Sequence, residues 1–216
     1  KGIRIWASVV PPSESPPRLK MYAEPFRLDY HRWAEEFAKL SLRETNLVAW
    51  SIDDFTHNLG LYTPDYVRQM QAKAHAINPR LAFVPCCYFR STTTNFARHY
   101  GPSLDGILFP YRHESGGPNL TNATLIEPEI KILRERFAPG FPIILDLYAT
   151  AHSKLGATTP EYVEEAMLAG HRAADGVMIY CHQDPKTNAP KFQVVKRQFN
   201  RWAEESDHAF RRTALN

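Results

Sequence analysis

The sequence predicts an α/β protein of the TIM (β/α)8 type, and three observations carry that expectation. Six short apolar runs, at residues 3–10, 47–54, 81–89, 106–112, 142–148 and 176–181, are each short enough for a buried strand and rich in Val, Ile, Leu or aromatic residues. Segments with helical periodicity separate them, so a βα unit recurs six times, and strands apolar on both faces call for a parallel sheet covered by helices. Polar and aromatic residues follow almost every strand, which suits a barrel that gathers all C-terminal strand ends at one mouth. An open sheet would spread them along an edge, and no G-x-G-x-x-G or G-x-x-x-x-G-K loop argues for a nucleotide-binding sheet.

The elements follow in order. The first strand leads into residues 11–25, whose two Pro-Pro pairs make a central strand there unworkable. Residues 26–42 place Tyr30, Trp33, Phe37 and Leu40 on one helix face and leave Glu35, Glu36 and Lys39 to solvent. Two helix starts are almost one string, Thr63-Pro64-Asp65-Tyr66-Val67 and Thr159-Pro160-Glu161-Tyr162-Val163. Threonine suits the N-cap, proline the first helical position, and the acid the positive end of the helix dipole. Helices are also expected over 126–137 and 192–205, with a short one at 94–100, and Asp105-Gly106 and Asp175-Gly176 form tight entries to two strands. A complete barrel has eight strands in about 250 residues. The expectation is therefore one barrel-type domain over residues 1–216 that starts near strand three and lacks the first two βα units.

Composition narrows the partners. With 44% apolar residues the 216-residue chain can bury a real core, and a net charge of +3 without a basic block gives no nucleic-acid footprint. No run approaches the roughly 20 apolar residues of a membrane span. No signal peptide opens the chain, which leaves both a cytoplasmic location and export after signal removal open. Cys86, Cys87 and Cys181 are odd in number and read as buried thiols rather than a disulfide framework.

The chemistry concentrates where residues 47–54 end in Asp53 and Asp54. Adjacent carboxylates at a strand exit repel, and a fold keeps them where a substrate or cation uses them; the plain alternative is that one caps the next turn and the other faces solvent. Candidate binding residues after the strands are Asn58, Tyr88, Arg90, Tyr111, Arg112, Asp146, Tyr148, Tyr180 and His182. Asp146 has the alternative of pairing with a neighbour such as Arg112. His57, His113, His152 and His182 also follow strands, but H-x-H, H-E-x-x-H and C-x-x-C are absent, so no metal and no cofactor is expected. No lysine ends a strand, which disfavours a Schiff base, and no G-x-S-x-G elbow occurs. Asn119-Leu-Thr and Asn122-Ala-Thr are glycan sequons that read more simply as caps.

The string Ser51-Ile52-Asp53-Asp54-Phe55-Thr56-His57-Asn58 resembles the Asp-Asp-Ile-Asp-His-Asn segment of family 84 glycoside hydrolases, the O-GlcNAcase-like β-N-acetylglucosaminidases. Residues 83–88 are similar to that family's Phe-Cys-Pro-Thr-Glu-Tyr, with Cys86 and Cys87 in place of threonine and glutamate. Residues 142–146 are similar to its Pro-Val-Ile-Trp-Asp, with Leu147 in place of the following asparagine. The resemblance implies a glycosidase on a carbohydrate substrate, with Asp53 stabilising the substrate's acetamido group and Asp54 as general acid and base. Alternatives are Asp54 paired with Asp146 as ordinary glycosidase carboxylates, a saccharide-binding barrel without turnover, and a metal-dependent hydrolase.

Overall fold

The computed structural model describes residues 3–16, 23–152, 154–180 and 185–214, the side chains of 206–214 excepted. The strands are β1 (Ile5–Val9), β2 (Leu47–Ile52), β3 (Ala82–Phe83), β4 (Ile107–Pro110), β5 (Ile143–Tyr148), β6 (Ala151–His152), β7 (Gly156–Ala157) and β8 (Gly176–Tyr180). The helices are α1 (Tyr30–Arg43), α2 (Pro64–Ile77), α3 (Thr94–Tyr100), α4 (Ile126–Arg136), α5 (Pro160–Ala173) and α6 (Ala189–Ala214). The chain forms two compact units, residues 1–110 with 131–144, and residues 111–130 with 145–216.

In the first unit β1, β2 and β3 lie side by side and parallel. A parallel bridge from Cys86 to Leu108 carries the order on to β4, and Ile107 N–H donates to the Pro142 carbonyl beside it at 3.0 Å. Gly106 permits that approach, because a Cβ there would lie 3.0 Å from the Pro142 carbonyl oxygen. In the second unit the remainder of β5 lies beside β8, and β6 and β7 form an antiparallel hairpin absent from the sequence expectation. Every long strand neighbours the next in the chain, with no reversal of order. That is the succession of a barrel, and the protein is an α/β chain of partial TIM-barrel type.

The repeated Thr-Pro string performs as its chemistry dictates. The Thr63 hydroxyl accepts from Tyr66 N–H at 3.2 Å and that of Thr159 from Tyr162 N–H at 3.1 Å, each with proline in the first turn. Helix α1 buries Tyr30, Trp33, Ala34, Ala38 and Ser41. The first core is aromatic: Trp50 on β2 lies 4.5 Å from Phe83 on β3, and Phe55 stacks on Tyr62 at 4.9 Å. All four are completely buried, and each large apolar side chain sealed in this way contributes roughly 1.5–3 kcal/mol. In the second unit α5 presses Gly170 against Leu145 of β5, so closely that a Cβ would lie 2.4 Å from the leucine side chain.

Three strand expectations need correction. β1 is not buried on both faces: Ile5 is 45% and Trp6 38% exposed, because β1 is the edge of its sheet. β2 stops at Ile52, because the Asp53 side chain accepts the next backbone N–H. β3 shrinks to two residues, since the Asp105 carboxylate rather than a strand takes Phe83 N–H, at 2.7 Å. Cys86 and Cys87 are buried thiols outside any disulfide, as expected, and Cys181 lies outside the described residues. Among the described residues no helix is long and apolar enough to cross a membrane.

Candidate active site

The site is built where β2 ends. Asp53 N–H still belongs to the sheet, donating to the Val9 carbonyl at 3.2 Å. The Asp53 carboxylate then accepts Asp54 N–H at 2.9 Å, which turns the chain and puts Asp54 in the left-handed region at φ 44°. Aspartate tolerates that conformation better than most residues, but it still carries strain of about 1 kcal/mol or more, a cost that clusters at functional positions. The short turn Phe55–His57 follows, buries Phe55 and Thr56 beneath it, and brings His57 back to Asp54.

Two side chains converge on Asp54, and they also touch each other. The Tyr88 hydroxyl donates to its Oδ1 at 2.5 Å, His57 Nδ1 lies 3.5 Å from the same oxygen, and the imidazole stacks on the Tyr88 ring at 4.2 Å. Tyr88 is positioned by its own N–H, which donates to the Thr56 hydroxyl at 3.1 Å. Beneath Asp54, burial chiefly, then the Asp54 charge, pushes the Asp53 carboxyl up, opposed by the Asp54 N–H, the Cys86 thiol and His57. Glu14, on the turn Pro12–Glu14 after β1, is also pushed up, by burial first and then by Asp53 and Asp54. Three acids from two neighbouring strand ends therefore act on one another. A cavity of about 340 Å³, lined by Pro12, Ser13, His57, Asn58, Gly60 and Leu61, opens beside His57.

Asp53, Asp54 and Cys86 each offer a donor atom, all within 4.8 Å of one another. Carboxylate oxygens with a thiolate suit a borderline divalent ion such as zinc. No spaced motif marks this set, because its members follow two different strands.

The other predicted site residues divide. Asn58 staples two loops, donating to Ser13 Oγ and the Asp54 carbonyl, both at 2.9 Å, and accepting from Ser13 N–H at 3.0 Å. Arg90 is exposed in the first unit. Tyr111, Arg112, Asp146, Tyr148 and Tyr180 belong to the second unit. Tyr111 is wall, fully buried, with its hydroxyl donating to the Asn122 carbonyl at 2.8 Å. Arg112 pairs with Glu114, through Nε at 3.0 Å and a second nitrogen at 2.5 Å. Asp146 is nearly buried, and Tyr148 packs against Tyr180 at 5.0 Å. His182 lies outside the described residues. The sequon residues act as caps: Asn119 Oδ1 accepts from Thr121 and Asn122 N–H, and Asn122 Oδ1 from Thr124 N–H and Oγ1. Glu14 escaped the sequence reading, though it follows β1 just as Asp53 follows β2.

No protein-family model and no curated protein matches the chain. Solved structures do. A Toxoplasma gondii chain provisionally assigned as a deoxyribose-phosphate aldolase matches with a TM-score of 0.52 at 9% identity, over 95% of this chain and 70% of that one. The fold is shared. PhdJ bound to a substrate intermediate matches at TM-score 0.47 and 15% identity, over 82% of this chain and 60% of its own length. The carboxyl transferase domain of Rhizobium etli pyruvate carboxylase matches at 0.42 and 15%, over 68% and 23%. This chain thus spans less than two thirds of the length of PhdJ and of the carboxylase chain.

The Toxoplasma match, which shares the fold and is not a family 84 glycoside hydrolase, overturns that resemblance, and with it glycoside hydrolysis, polysaccharide degradation and the alternatives given beside them. The residues give the physical reason. Where that family has threonine, glutamate and asparagine, this chain has Cys86, Cys87 and Leu147, all at most 2% exposed, so they build wall rather than a polar sugar surface. Burial also pushes the Cys87 thiol up, which leaves it an inert core group.

Proposed function

We propose that the protein is an enzyme that moves a proton by general acid–base catalysis at a carbon beside a carbonyl group of a small polar substrate. Asp54 is the group that takes and returns the proton. The observation that carries the reading is the 2.5 Å bond from Tyr88 to an Asp54 that is also reached by His57 at a cavity edge. A carboxylate with one solvent-accessible side and a fixed donor on the other has the geometry of a positioned base. Tyr88 and His57 hold its orientation, and the nearby Asp53 and Glu14 carboxyls are both pushed up, by burial first and then by the neighbouring acids. A volume of about 340 Å³ suits a small metabolite.

The carbonyl part of the reading is supported by the name printed for the Toxoplasma chain, an aldolase. No described strand of this chain contains lysine, so the reading assigns the proton transfer to carboxylates and not to an imine. Incubation with pyruvate, acetaldehyde and dihydroxyacetone phosphate in D2O, followed by NMR, tests it directly. Deuterium enters the α-carbon of at least one compound, and Asp54→Asn slows the exchange about a hundredfold or more. Wild-type exchange no faster than that of the variant on all three compounds overturns the reading.

A further inference from the structure

One side chain joins the turns that follow β1 and β2. The Asn58 amide donates to Ser13 Oγ and to the Asp54 carbonyl, both at 2.9 Å, and its Oδ1 accepts Ser13 N–H at 3.0 Å. Those partners fix which way the amide faces, because a backbone N–H can only donate and a carbonyl can only accept. Both amide hydrogens are spent inside the protein, so Asn58 has no donor left for a bound molecule. Its backbone is held as well: its N–H donates to the Phe55 carbonyl at 3.0 Å, and its own carbonyl accepts Leu61 N–H at 3.0 Å and Tyr62 N–H at 3.1 Å. Phe55 and Tyr62 are completely buried and stacked on each other, so Asn58 stands on a packed floor.

Two features of the site depend on this amide. Asp54 lies in the left-handed region, where a residue other than glycine persists only if its surroundings over-determine it. Its N–H is taken by the Asp53 carboxylate, and its carbonyl by His57 N–H, at 2.9 Å, and by the Asn58 amide. The second feature is the cavity beside His57. It draws Pro12 and Ser13 from the turn after β1 and His57, Asn58, Gly60 and Leu61 from the chain after β2, and the two bonds between Asn58 and Ser13 tie these contributions together.

We propose that Asn58 is a positioning residue, which locks the strained Asp54 backbone so that the carboxylate stays in reach of Tyr88 and His57, and which fixes the spacing of the two cavity-lining segments. It acts through Asp54 and Ser13, in place of the substrate contact expected from the sequence. Its effect on rate rests on the proton-transfer reading, whereas its effect on His57 rests on the geometry alone.

Two substitutions test this. Asn58→Asp keeps the size: Ser13 N–H still has its acceptor and the Ser13 hydroxyl can turn to donate, but a carboxylate oxygen now faces the Asp54 carbonyl with no proton between them. Asn58→Ala removes all three bonds and adds no charge. Proton NMR reads the His57 ring, which is stacked on Tyr88 at 4.2 Å and shifted by it. In both variants the His57 resonances move towards those of an unstacked histidine. Deuterium exchange, measured with the three compounds named above, reads the rate. Its plateau across pH falls about tenfold or more, and KM changes by about twofold or less. A group that only altered the charge near Asp54 would slide the pH profile and keep the plateau, and one that touched substrate would raise KM. Unchanged His57 resonances in the folded variants overturn the proposal, as does a plateau equal to that of wild type or a loss confined to KM. If Asn58→Ala does not fold, Asn58→Asp decides. If wild type exchanges no deuterium, the proton-transfer reading falls alone and the His57 resonances decide the role of Asn58.

Discussion

Two acidic clusters in this protein start from the same problem and resolve it in opposite ways. At the end of β2, Asp53 and Asp54 lie within electrostatic reach of Glu14 from the turn after β1, His57 beside Asp54 lines a cavity, and the Asp54 side chain remains 21% exposed. In the second unit, Glu114 and Glu129 also crowd together, but they are 2% and 0% exposed and are held by Arg112 and Ser115. Repulsion and burial raise a carboxyl in both places. An acid that keeps a wet side can trade its proton with a bound molecule. One sealed behind backbone and guanidinium bonds has no such wet side.

The largest effect tests the floor of the open cluster. Trp50→Ala removes a completely buried ring beside Phe83, and urea unfolding registers a loss of about 3–5 kcal/mol. A loss under about 1 kcal/mol would mean that β2 is not anchored there. Next, Asp54→Asn slows exchange about a hundredfold or more, with its unfolding midpoint close to wild type. Tyr88→Phe, which deletes one charge-assisted bond to Asp54 while preserving the stack on His57, lowers the same rate about tenfold.

Smaller effects sharpen the contrast. Thr63→Ala and Thr159→Ala each cost about 1 kcal/mol by thermal unfolding, because the same cap serves both units; a cost in only one would mark the other helix as held by packing alone. The smallest belongs to Glu14. Its raised carboxyl contributes stability in full below the ordinary glutamate range and loses it as pH rises through the raised value, so Glu14→Gln gives a slightly higher Tm at pH 7. The gain fades towards pH 4; an equal gain at both values would show that charge is not its source.

Local chemistry was legible wherever a residue acts on its own neighbours. The Thr-Pro starts of α2 and α5, the longer strands β1, β2, β4, β5 and β8 and the buried Cys86 and Cys87 all follow from side-chain shape, capping and burial within a few residues. The position of Asp53 and Asp54 at the end of β2 was legible for the same reason. Motif likeness misled, because a short string at a strand end reports the turn it builds as readily as a reaction, and the matched folds do not bear out the glycosidase.

What the sequence determined by itself was the succession of strands and helices and the strand ends where chemistry could sit. Tertiary structure alone decided that Glu14 from one strand end comes within electrostatic reach of Asp53 and Asp54 from the next, that Tyr88 lies 34 residues on yet bonds Asp54, and that Glu129 takes both donors of Ser115. Parallel strands bring the same end of successive units together, so such partners lie tens of residues apart and no local pattern marks them.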